Sequence, residues 1–248
     1  MRKVLLYICS VFIFGGMTSC EDFLDKREDV GLTEDDIFRD YYSLRGFLDQ
    51  SFNQLENVMV MDNWENGRAF VGLFADEMAT TDNSSAVFTL HSGNWLSNAK
   101  SSTTFEIGNG GSTAISRSYK ALRINNRIIN DIDKAPLTPE QKNEILGQAY
   151  FYRSWFYFQI IKRYGGMPII DKVFEGGDDD IPRMTYHESH DWMMEDIQKA
   201  IYMLPDSWDD PNYGRPTKIA AMALKEWAQL FDASPLMQND LASVQVMG

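Results

Sequence analysis

The stretch TPEQKNEILGQAYFYRSWFYFQIIKRYGG, from Thr138 to Gly166, is the one around which the rest of the chain is organised. Thr138 can cap a helix through its hydroxyl, Pro139 stands where a missing N–H costs nothing, and Gln141 completes a capping box. At the other end, Gly165 can adopt the left-handed conformation that ends a helix. These signals predict a single helix of about 26 residues.

The middle of this helix is apolar on every side. Between Ala149 and Ile161, aromatic and aliphatic residues occupy all faces of a helical wheel. A helix that is apolar all round is one against which other helices pack. Aromatic residues at helical spacing favour core packing over a ligand-binding box. The sequence therefore predicts a central buried helix.

Other helical patterns precede and follow the central one. Their predicted bounds are Thr33–Asn57, Trp64–Met78, Thr113–Ala135, Thr185–Pro205 and Thr217–Pro235. Helices of two to seven turns joined by short loops predict an all-α array. Antiparallel pairs of this kind resemble tetratricopeptide repeats, although no clean 34-residue period is visible. The predicted fold is an all-α, tetratricopeptide-like helical array with long irregular loops.

One long polar segment, Ala79–Gly111, interrupts this helical pattern. Polar loops of about thirty residues inside a compact domain are usually functional or disordered, and an embedded tryptophan argues against simple disorder. Trp95 offers an apolar ring face to the C–H side of a sugar, while Asn94 and Asn98 can donate to and accept from its hydroxyls. We predict that these three residues bind ligand. The alternative, that Trp95 pins the loop to the core, fits the sequence equally well.

The remaining tryptophans fall into two groups. Trp155, Trp192 and Trp227 lie on helical stripes, which predicts core positions. Trp64 and Trp208 lie in irregular segments beside polar residues, as Trp95 does.

The first nineteen residues have the pattern of a signal peptide. Arg2 and Lys3 are basic, and Val4–Phe14 is apolar but too short to span a bilayer. The sequence Met17-Thr18-Ser19-Cys20 resembles a lipobox, after which the cysteine becomes the acylated first residue of a bacterial lipoprotein. An ordinary secretory signal with an incidental cysteine is the alternative.

The mature chain is expected to begin at Cys20. Residues 20–32 form a lipidated acidic leader, similar to the export signal of lipoproteins displayed outside the outer membrane. Residues 33–248 form the helical domain. Since the chain has two cysteines in all, Cys9 in the signal peptide and Cys20, the mature chain has no pair for a disulfide.

The formal net charge of the 248-residue chain is −13. An acidic excess of this size argues against charge-driven binding to DNA, RNA or an anionic bilayer. We therefore predict no nucleic-acid partner.

Motifs that carry catalysis or bind metal are scarce. His187-Glu188-Ser189-His190 is one residue short of the H-E-x-x-H motif of metalloproteases, and Glu188 stands where a capping box needs it. Asp178–Asp180 lacks the alternating spacing of a calcium loop. We predict no catalytic residue, no metal site, no cofactor and no enzymatic activity. A metal-dependent hydrolase that uses His187 and His190 is the weakest alternative.

Several short sequence blocks follow the lipobox, and their order along the chain is informative. They are Tyr42–Gly46, Leu73–Glu77, Tyr119–Asn126, Gln148–Phe158, Arg163–Pro168, Asp196–Ala200 with Leu204-Pro205, Gly214–Ala221 and Ala233–Leu236. Together they resemble the SusD/RagB family of nutrient-binding outer-membrane lipoproteins over nearly all of residues 20–240. The block from Arg163 to Pro168 is the most specific part of the match.

The resemblance implies a surface lipoprotein, anchored in the outer membrane and facing the cell exterior, that binds glycans or other nutrient oligomers. It further implies a TonB-dependent transporter of the SusC type as partner. Members of that family continue for a similar length again, so we expect residues 33–248 to be the N-terminal portion of such a domain. A helical protein–protein scaffold that binds only the transporter is the alternative function.

Overall fold

The computed structural model describes residues 33–55, 114–174 and 181–238, which form six α-helices. In chain order these are α1 (Glu34–Ile37), α2 (Tyr41–Phe52), α3 (Ala114–Asp131), α4 (Pro139–Tyr164), α5 (Tyr186–Met203) and α6 (Lys218–Asp232). Single 3-10 turns cover Ile132–Lys134 and Asp210–Asn212, and the described ranges contain no strand. The predicted all-α class is confirmed. The second predicted helix, Trp64–Met78, and the polar segment lie outside these ranges.

The chain divides into two compact units, Met1–Ile37 and Phe38–Gly248. In the first unit, the four-residue helix α1 follows Thr33, whose hydroxyl accepts from the backbone N–H of Asp36 at 3.2 Å. The carboxylate of Asp36 accepts in return from the backbone N–H of Thr33 at 3.1 Å. All the other described helices belong to the second unit.

The prediction of one uninterrupted helix over Thr33–Asn57 is wrong. The helical backbone stops after Ile37 and starts again at Tyr41. Asp40 adopts an extended conformation, and its side chain accepts a hydrogen bond from the backbone N–H of Ser43 at 2.8 Å. Aspartate favours such N-cap positions over helix interiors, because its short side chain competes for backbone donors.

The central helix α4 is confirmed almost residue for residue. It runs over 26 residues, and both hydrogen bonds of the capping box between Thr138 and Gln141 are present. Gly165 ends the helix with φ 74° and ψ −155°. Its φ is positive as expected, but its ψ lies outside the left-handed helical region. Fifteen residues of α4 are buried, so it is the centre of the second unit.

The helices of the second unit pack as successive neighbours. Helix α4 lies between α3 and α5, α6 packs on α5, and α2 packs on α3 and α4. Arg153 of α4 pairs with Asp196 of α5. Gly147, which lies earlier in α4, is next to Met203 at the end of α5. The two helices are therefore antiparallel. This arrangement confirms the tetratricopeptide-like array, in which each helix packs mainly against the next.

The predicted starts of α5 and α6 are confirmed. Thr185 caps α5 in a complete capping box with Glu188, and the Thr217 side chain accepts from the backbone N–H of Ala220 at the start of α6. Hydrogen bonds from the backbone N–H and hydroxyl of Thr185 hold the pKa of the Glu188 carboxyl below its usual value. Local capping signals therefore predict where α5 and α6 begin without reference to tertiary packing.

Candidate functional site

The site residues that the sequence predicts lie outside the described parts of the chain. This applies to the ligand candidates Asn94, Trp95 and Asn98 and to the acylation candidate Cys20. Their roles stay predictions. The structure describes the helices that precede and follow the polar segment in the sequence.

Helices α2 and α3 come before and after residues 56–113, the part of the chain that contains the polar segment, and the two helices pack against each other. Ser51 in α2 donates to the side-chain oxygen of Asn125 in α3 at 3.2 Å, and both residues are buried. Asn125 in turn donates to the carbonyl of Ala121 at 2.8 Å. Buried polar groups that pair in this way fix the relative position of two helices.

A buried ionic network joins α3, α4 and α5. The Nε of Arg153 donates to the carboxylate of Asp196 at 2.6 Å, with the two side chains 5% and 1% exposed. One terminal nitrogen of Arg153 donates to the side-chain oxygen of Asn126 at 2.9 Å. Lys199 approaches the other carboxylate oxygen of Asp196 at 3.1 Å. A charge in so apolar a helix is held because it is paired and hydrogen-bonded on several sides.

The same network holds the chain that follows α4. The amide of Asn126 donates to the carbonyls of Ile170 and Lys172 at 2.9 and 3.2 Å. The hydroxyl of Tyr157 donates to the carbonyl of Met167 at 3.0 Å. Burial raises the pKa of the Tyr157 phenol, so the group keeps its proton and remains a donor.

Two backbones meet closely at the turn after α4. A Cβ atom on Gly166 would lie 2.0 Å from the carbonyl oxygen of Met184 and 2.4 Å from the carbonyl carbon of Thr185. Arg183 donates to the carbonyls of Gly166 and Tyr164 at 2.9 and 2.8 Å. The two glycines of the Arg163–Pro168 block therefore have different roles. Gly165 adopts the positive φ that ends α4, and Gly166 lets the backbone pass close to that of Met184 and Thr185.

A second polar network connects the loop before α6 to α2 and α4. The guanidinium of Arg215 binds both carboxylate oxygens of Asp49, at 2.7 and 2.9 Å, and the side-chain oxygen of Gln148 at 3.0 Å. Its Nε donates to Asn212 at 3.2 Å. The neighbouring Asp49 carboxylate raises the pKa of Arg215 against the effect of desolvation. A bidentate pair of this geometry fixes the loop on the helices.

The sequence alone predicts no functional role for Arg153 or Arg215. For Arg153 a signal was present, because it is the one charged residue between Ala149 and Ile161. A lone charge in a buried stretch predicts a buried partner. The partner Asp196 could not be identified from the sequence, since it lies 43 residues away.

Three tryptophans, Trp155, Trp192 and Trp227, are predicted to be core residues. The prediction is wrong for Trp227 and only partly confirmed for the other two. Trp227 is 42% exposed, and the other two are half-buried. Trp155 packs on Trp227 with ring centroids 5.8 Å apart, and the ammonium of Lys162 lies 4.5 Å from the Trp227 ring. Helical spacing identified a packed stripe, but the outer side of α6 faces solvent.

Several large apolar residues of helix α6 are exposed. Its exposed large apolar residues are Ile219, Met222, Trp227 and Leu230, followed after the helix by Leu236. Exposed apolar side chains in a contiguous set mark surfaces that bind other molecules.

Each histidine of the His187–His190 segment lies beside an aspartate. His187 pairs with Asp232 through Nδ1 at 3.3 Å, and His190 approaches Asp191 at 3.4 Å. Within residues 33–55, 114–174 and 181–238, no group of three or more His, Cys, Asp or Glu is placed to hold a metal ion. Across the same ranges, no helix combines the length and apolar character that crossing a bilayer requires.

Trp208 has a structural contact. Its indole N–H donates to the carbonyl of Pro216 at 2.8 Å, and the ring is half-buried. The residue holds the loop before α6 against the start of that helix. This tryptophan of an irregular segment is therefore a loop anchor.

Comparison with known proteins identifies the class of protein. The SusD-like family model described as "Starch-binding associating with outer membrane" matches residues 22–226, most of the chain. The chain belongs to this SusD-like family, and the resemblance to SusD/RagB proteins is confirmed.

Individual relatives agree with the family model. The chain is 28% identical over 102 residues to SusD-like protein P38 of Formosa agariphila, which covers 40% of this chain and 20% of that protein. A solved SusD-like protein from Bacteroides fragilis superposes with a TM-score of 0.58 at 25% identity, covering 81% of this chain and 36% of the other.

A SusD-like carbohydrate-binding protein from Bacteroides vulgatus gives a TM-score of 0.61 at 14% identity, covering 77% and 41% of the two chains. The chain thus spans less than half the length of these relatives. At 14% identity the second structure supports the fold alone.

Proposed function

We propose that the chain is a cell-surface lipoprotein that binds glycans or other nutrient oligomers and passes them to a TonB-dependent outer-membrane transporter of the SusC type. Binding occurs without cleavage. The observation that carries the proposal is the family match over residues 22–226, whose description joins starch binding to outer-membrane association. The match begins two residues after Cys20, where the mature lipoprotein is expected to start.

The ligand site that we propose includes Trp95 with Asn94 and Asn98. The physical reason is that loops on rigid scaffolds are where binding residues concentrate. Helices α2 and α3, which precede and follow this part of the chain in the sequence, are joined by the buried hydrogen bond from Ser51 to Asn125. A tryptophan ring and two amides supply both kinds of contact that a sugar needs, an apolar face and hydroxyl partners.

Substituting alanine for Trp95 tests this site. Loss of a stacking ring should weaken oligosaccharide binding by about 1–3 kcal/mol, roughly 5- to 150-fold, with little change in melting temperature. A core role would instead cost about 3–5 kcal/mol of folding free energy. Trp208→Ala is the matched control, because Trp208 is a loop anchor and should lower stability while leaving affinity unchanged. A large drop in melting temperature for Trp95→Ala with unchanged affinity would refute the ligand role.

The lipid anchor is tested separately at Cys20. The Cys20→Ala variant should incorporate no palmitate and should be lost from the outer membrane, because the cysteine sulfur is the acylation site in a lipobox. Palmitate labelling that persists in this variant would contradict the anchor.

The alternative function is a helical protein–protein scaffold that binds its transporter without ligand contacts of its own. The exposed apolar residues Ile219, Met222 and Leu230 of α6 favour this alternative, since exposed apolar patches mark protein interfaces. Oligosaccharide binding by the isolated protein selects the first function. Binding to the transporter with no affinity for any oligosaccharide selects the second.

A further inference from the structure

Helix α3 carries an excess of cations on a chain whose net charge is −13. Its sequence contains a single carboxylate, Asp131, at its last position. That carboxylate already has two partners, because it lies 3.1 Å from the Nε of Arg127 and 3.0 Å from the ammonium of Lys134. The other three cations of the helix are Arg117, Lys120 and Arg123.

These three cations differ from most others on the protein in having no carboxylate partner. Within the described parts of the chain, none of them forms an ion pair. Lys120 and Arg123 are exposed, and Arg117 is half-buried. Lys142 and Lys218, by contrast, each lie beside an aspartate. The positive charge on this part of α3 is therefore not neutralised by a neighbouring side chain.

The three cations form a row along one side of the helix. Residues three positions apart are neighbours on a helix surface, and each step rises about 4.5 Å along the axis. The row from Arg117 to Arg123 therefore covers about 9 Å. Each step is comparable to the length of one sugar ring in an extended oligosaccharide.

A fourth cation lies beside the end of this row. The guanidinium of Arg123 donates to the carbonyl of Phe174 at 3.4 Å, and the ammonium of Lys172 lies 5.4 Å from the Phe174 ring centroid. The backbone of Lys172 is held on α3, because the amide of Asn126 donates to its carbonyl at 3.2 Å. Arg123 and Lys172 thus contact the same residue from two segments of the chain. The four cations that we call the α3 basic face are Arg117, Lys120, Arg123 and Lys172.

The acidic charge of the whole chain does not cancel this face at close range. At physiological ionic strength, charges more than about 8 Å apart are largely screened from each other. Asp131 lies about 12 Å along the helix axis from Arg123. Asp171 is exposed and precedes Lys172 directly, so one acid adjoins the four cations. The net charge of −13 repels anions at long range, whereas the face attracts an anionic group that is already close.

We propose that the α3 basic face binds an oligosaccharide whose sugar rings carry carboxylate or sulfate groups. The inference rests on the proposed function, because it names the class of glycan. Arginine pairs with carboxylate oxygens through two parallel hydrogen bonds, and lysine acts as a point charge toward either anion. A linear chain of acidic sugars presents anions at regular intervals, as the row presents cations. A neutral glycan has no group that pairs with these charges.

The arrangement of the face favours a short acidic oligosaccharide over an anionic membrane. Three of the four cations lie in one row on one helix, which suits a chain-like ligand. A membrane is anionic over a wide area and would also meet the acidic remainder of the protein, which it repels. A short oligosaccharide contacts the face alone.

The test is a calorimetric titration of the purified chain with hexagalacturonic acid, a carrageenan hexasaccharide and maltohexaose. The first supplies carboxylates, the second supplies sulfates and the third is neutral. We expect saturable binding to at least one acidic sugar, tighter than to maltohexaose. Its affinity should fall as sodium chloride rises from about 0.05 to 0.5 M, because salt screens charge pairs at an exposed surface.

A double variant tests the face itself. Lys120→Gln combined with Arg123→Gln should weaken binding of the acidic sugar about tenfold, since two charge-assisted contacts are lost. It should also reduce the dependence on salt, which a purely structural role would leave unchanged. The matched control is Lys142→Gln combined with Lys218→Gln, which removes two cations outside the face and should keep the wild-type affinity. Both double variants should melt close to the wild type, because surface charges contribute little to stability.

The outcomes separate this inference from the proposed function. Binding of maltohexaose with no affinity for either acidic sugar refutes the inference and leaves the proposed function standing. Equal affinity of the Lys120 and Arg123 double variant and the wild type for an acidic sugar has the same meaning, as does an equal loss in the control. If none of the three sugars binds, both are refuted. If the chain binds phosphatidylglycerol vesicles through Lys120 and Arg123 but neither acidic sugar, the face belongs to a membrane and the inference is wrong.

Discussion

Replacing Arg153 with methionine should destabilise the helical array more than any surface substitution. The change keeps most of the side-chain volume but removes the partner of Asp196, whose carboxylate is 1% exposed. Lys199, itself largely exposed, would be the remaining cation near that carboxylate, and Asn126 would lose one donor. Removing one partner of a buried ion pair typically costs about 3–5 kcal/mol, because the other charge stays buried without compensation.

The size of this loss is large against the whole stability of a domain, which is about 5–15 kcal/mol. For a chain of this length, each kcal/mol lowers the melting temperature by about 2–4 °C. We therefore expect Arg153→Met to melt about 6–20 °C below the wild type. Circular dichroism at 222 nm during heating, together with urea unfolding, measures both the melting temperature and the free energy of unfolding.

A second variant separates charge from packing. Adding Asp196→Asn to Arg153→Met removes the unpaired charge, so the double variant should be more stable than Arg153→Met alone. The control is Lys142→Met, which breaks the exposed ion pair with Asp133 and should cost less than about 1 kcal/mol. If Arg153→Met melts within 2 °C of the wild type, or the double variant is no better than the single, the reasoning is wrong.

Two further predictions concern the α4–α5 connection. Gly166→Ala should destabilise the protein by about 2–4 kcal/mol, because the new methyl group would overlap the Met184 backbone, whereas Gly46→Ala, in the open interior of α2, should stabilise it by about 0.5–1 kcal/mol. Equal melting temperatures for these two variants would refute the close approach. Thr185→Ala should cost about 1 kcal/mol at pH 7 through loss of the N-cap. Since the pKa of Glu188 is lowered in the folded state, its contribution is present above the unfolded pKa and is lost as pH falls, so the difference between Thr185→Ala and wild type should narrow below about pH 4. A difference that stays constant down to pH 3 would contradict this assignment.

Much of the fold was predictable from local signals. The bounds of α4, the capping boxes at Thr138 and Thr185, and the cap at Thr217 all follow from residue types at fixed spacing. Where local signals compete, prediction failed. The apolar stripe that continues through Asp40 suggested one helix, but the aspartate side chain binds the Ser43 backbone and starts a new one.

The scaffold surfaces were less predictable, for a physical reason. Helical spacing predicts that Trp227 is a core residue, but it does not show how much of the ring stays exposed once the residue packs on α4. The hydrogen bond from Arg45 to Asn212 joins residues that lie 167 positions apart in the sequence. Such contacts are set by the arrangement of whole helices, which no single stretch encodes.

The central claim is that the protein binds an oligosaccharide and releases it unchanged. The most direct measurement is a calorimetric titration with oligosaccharides. It is followed by chromatography of the sugar recovered from the calorimeter's sample cell. The account predicts saturable binding to at least one sugar and complete recovery of that sugar at its original length. Absence of binding to every sugar, or recovery of shortened products, would contradict it.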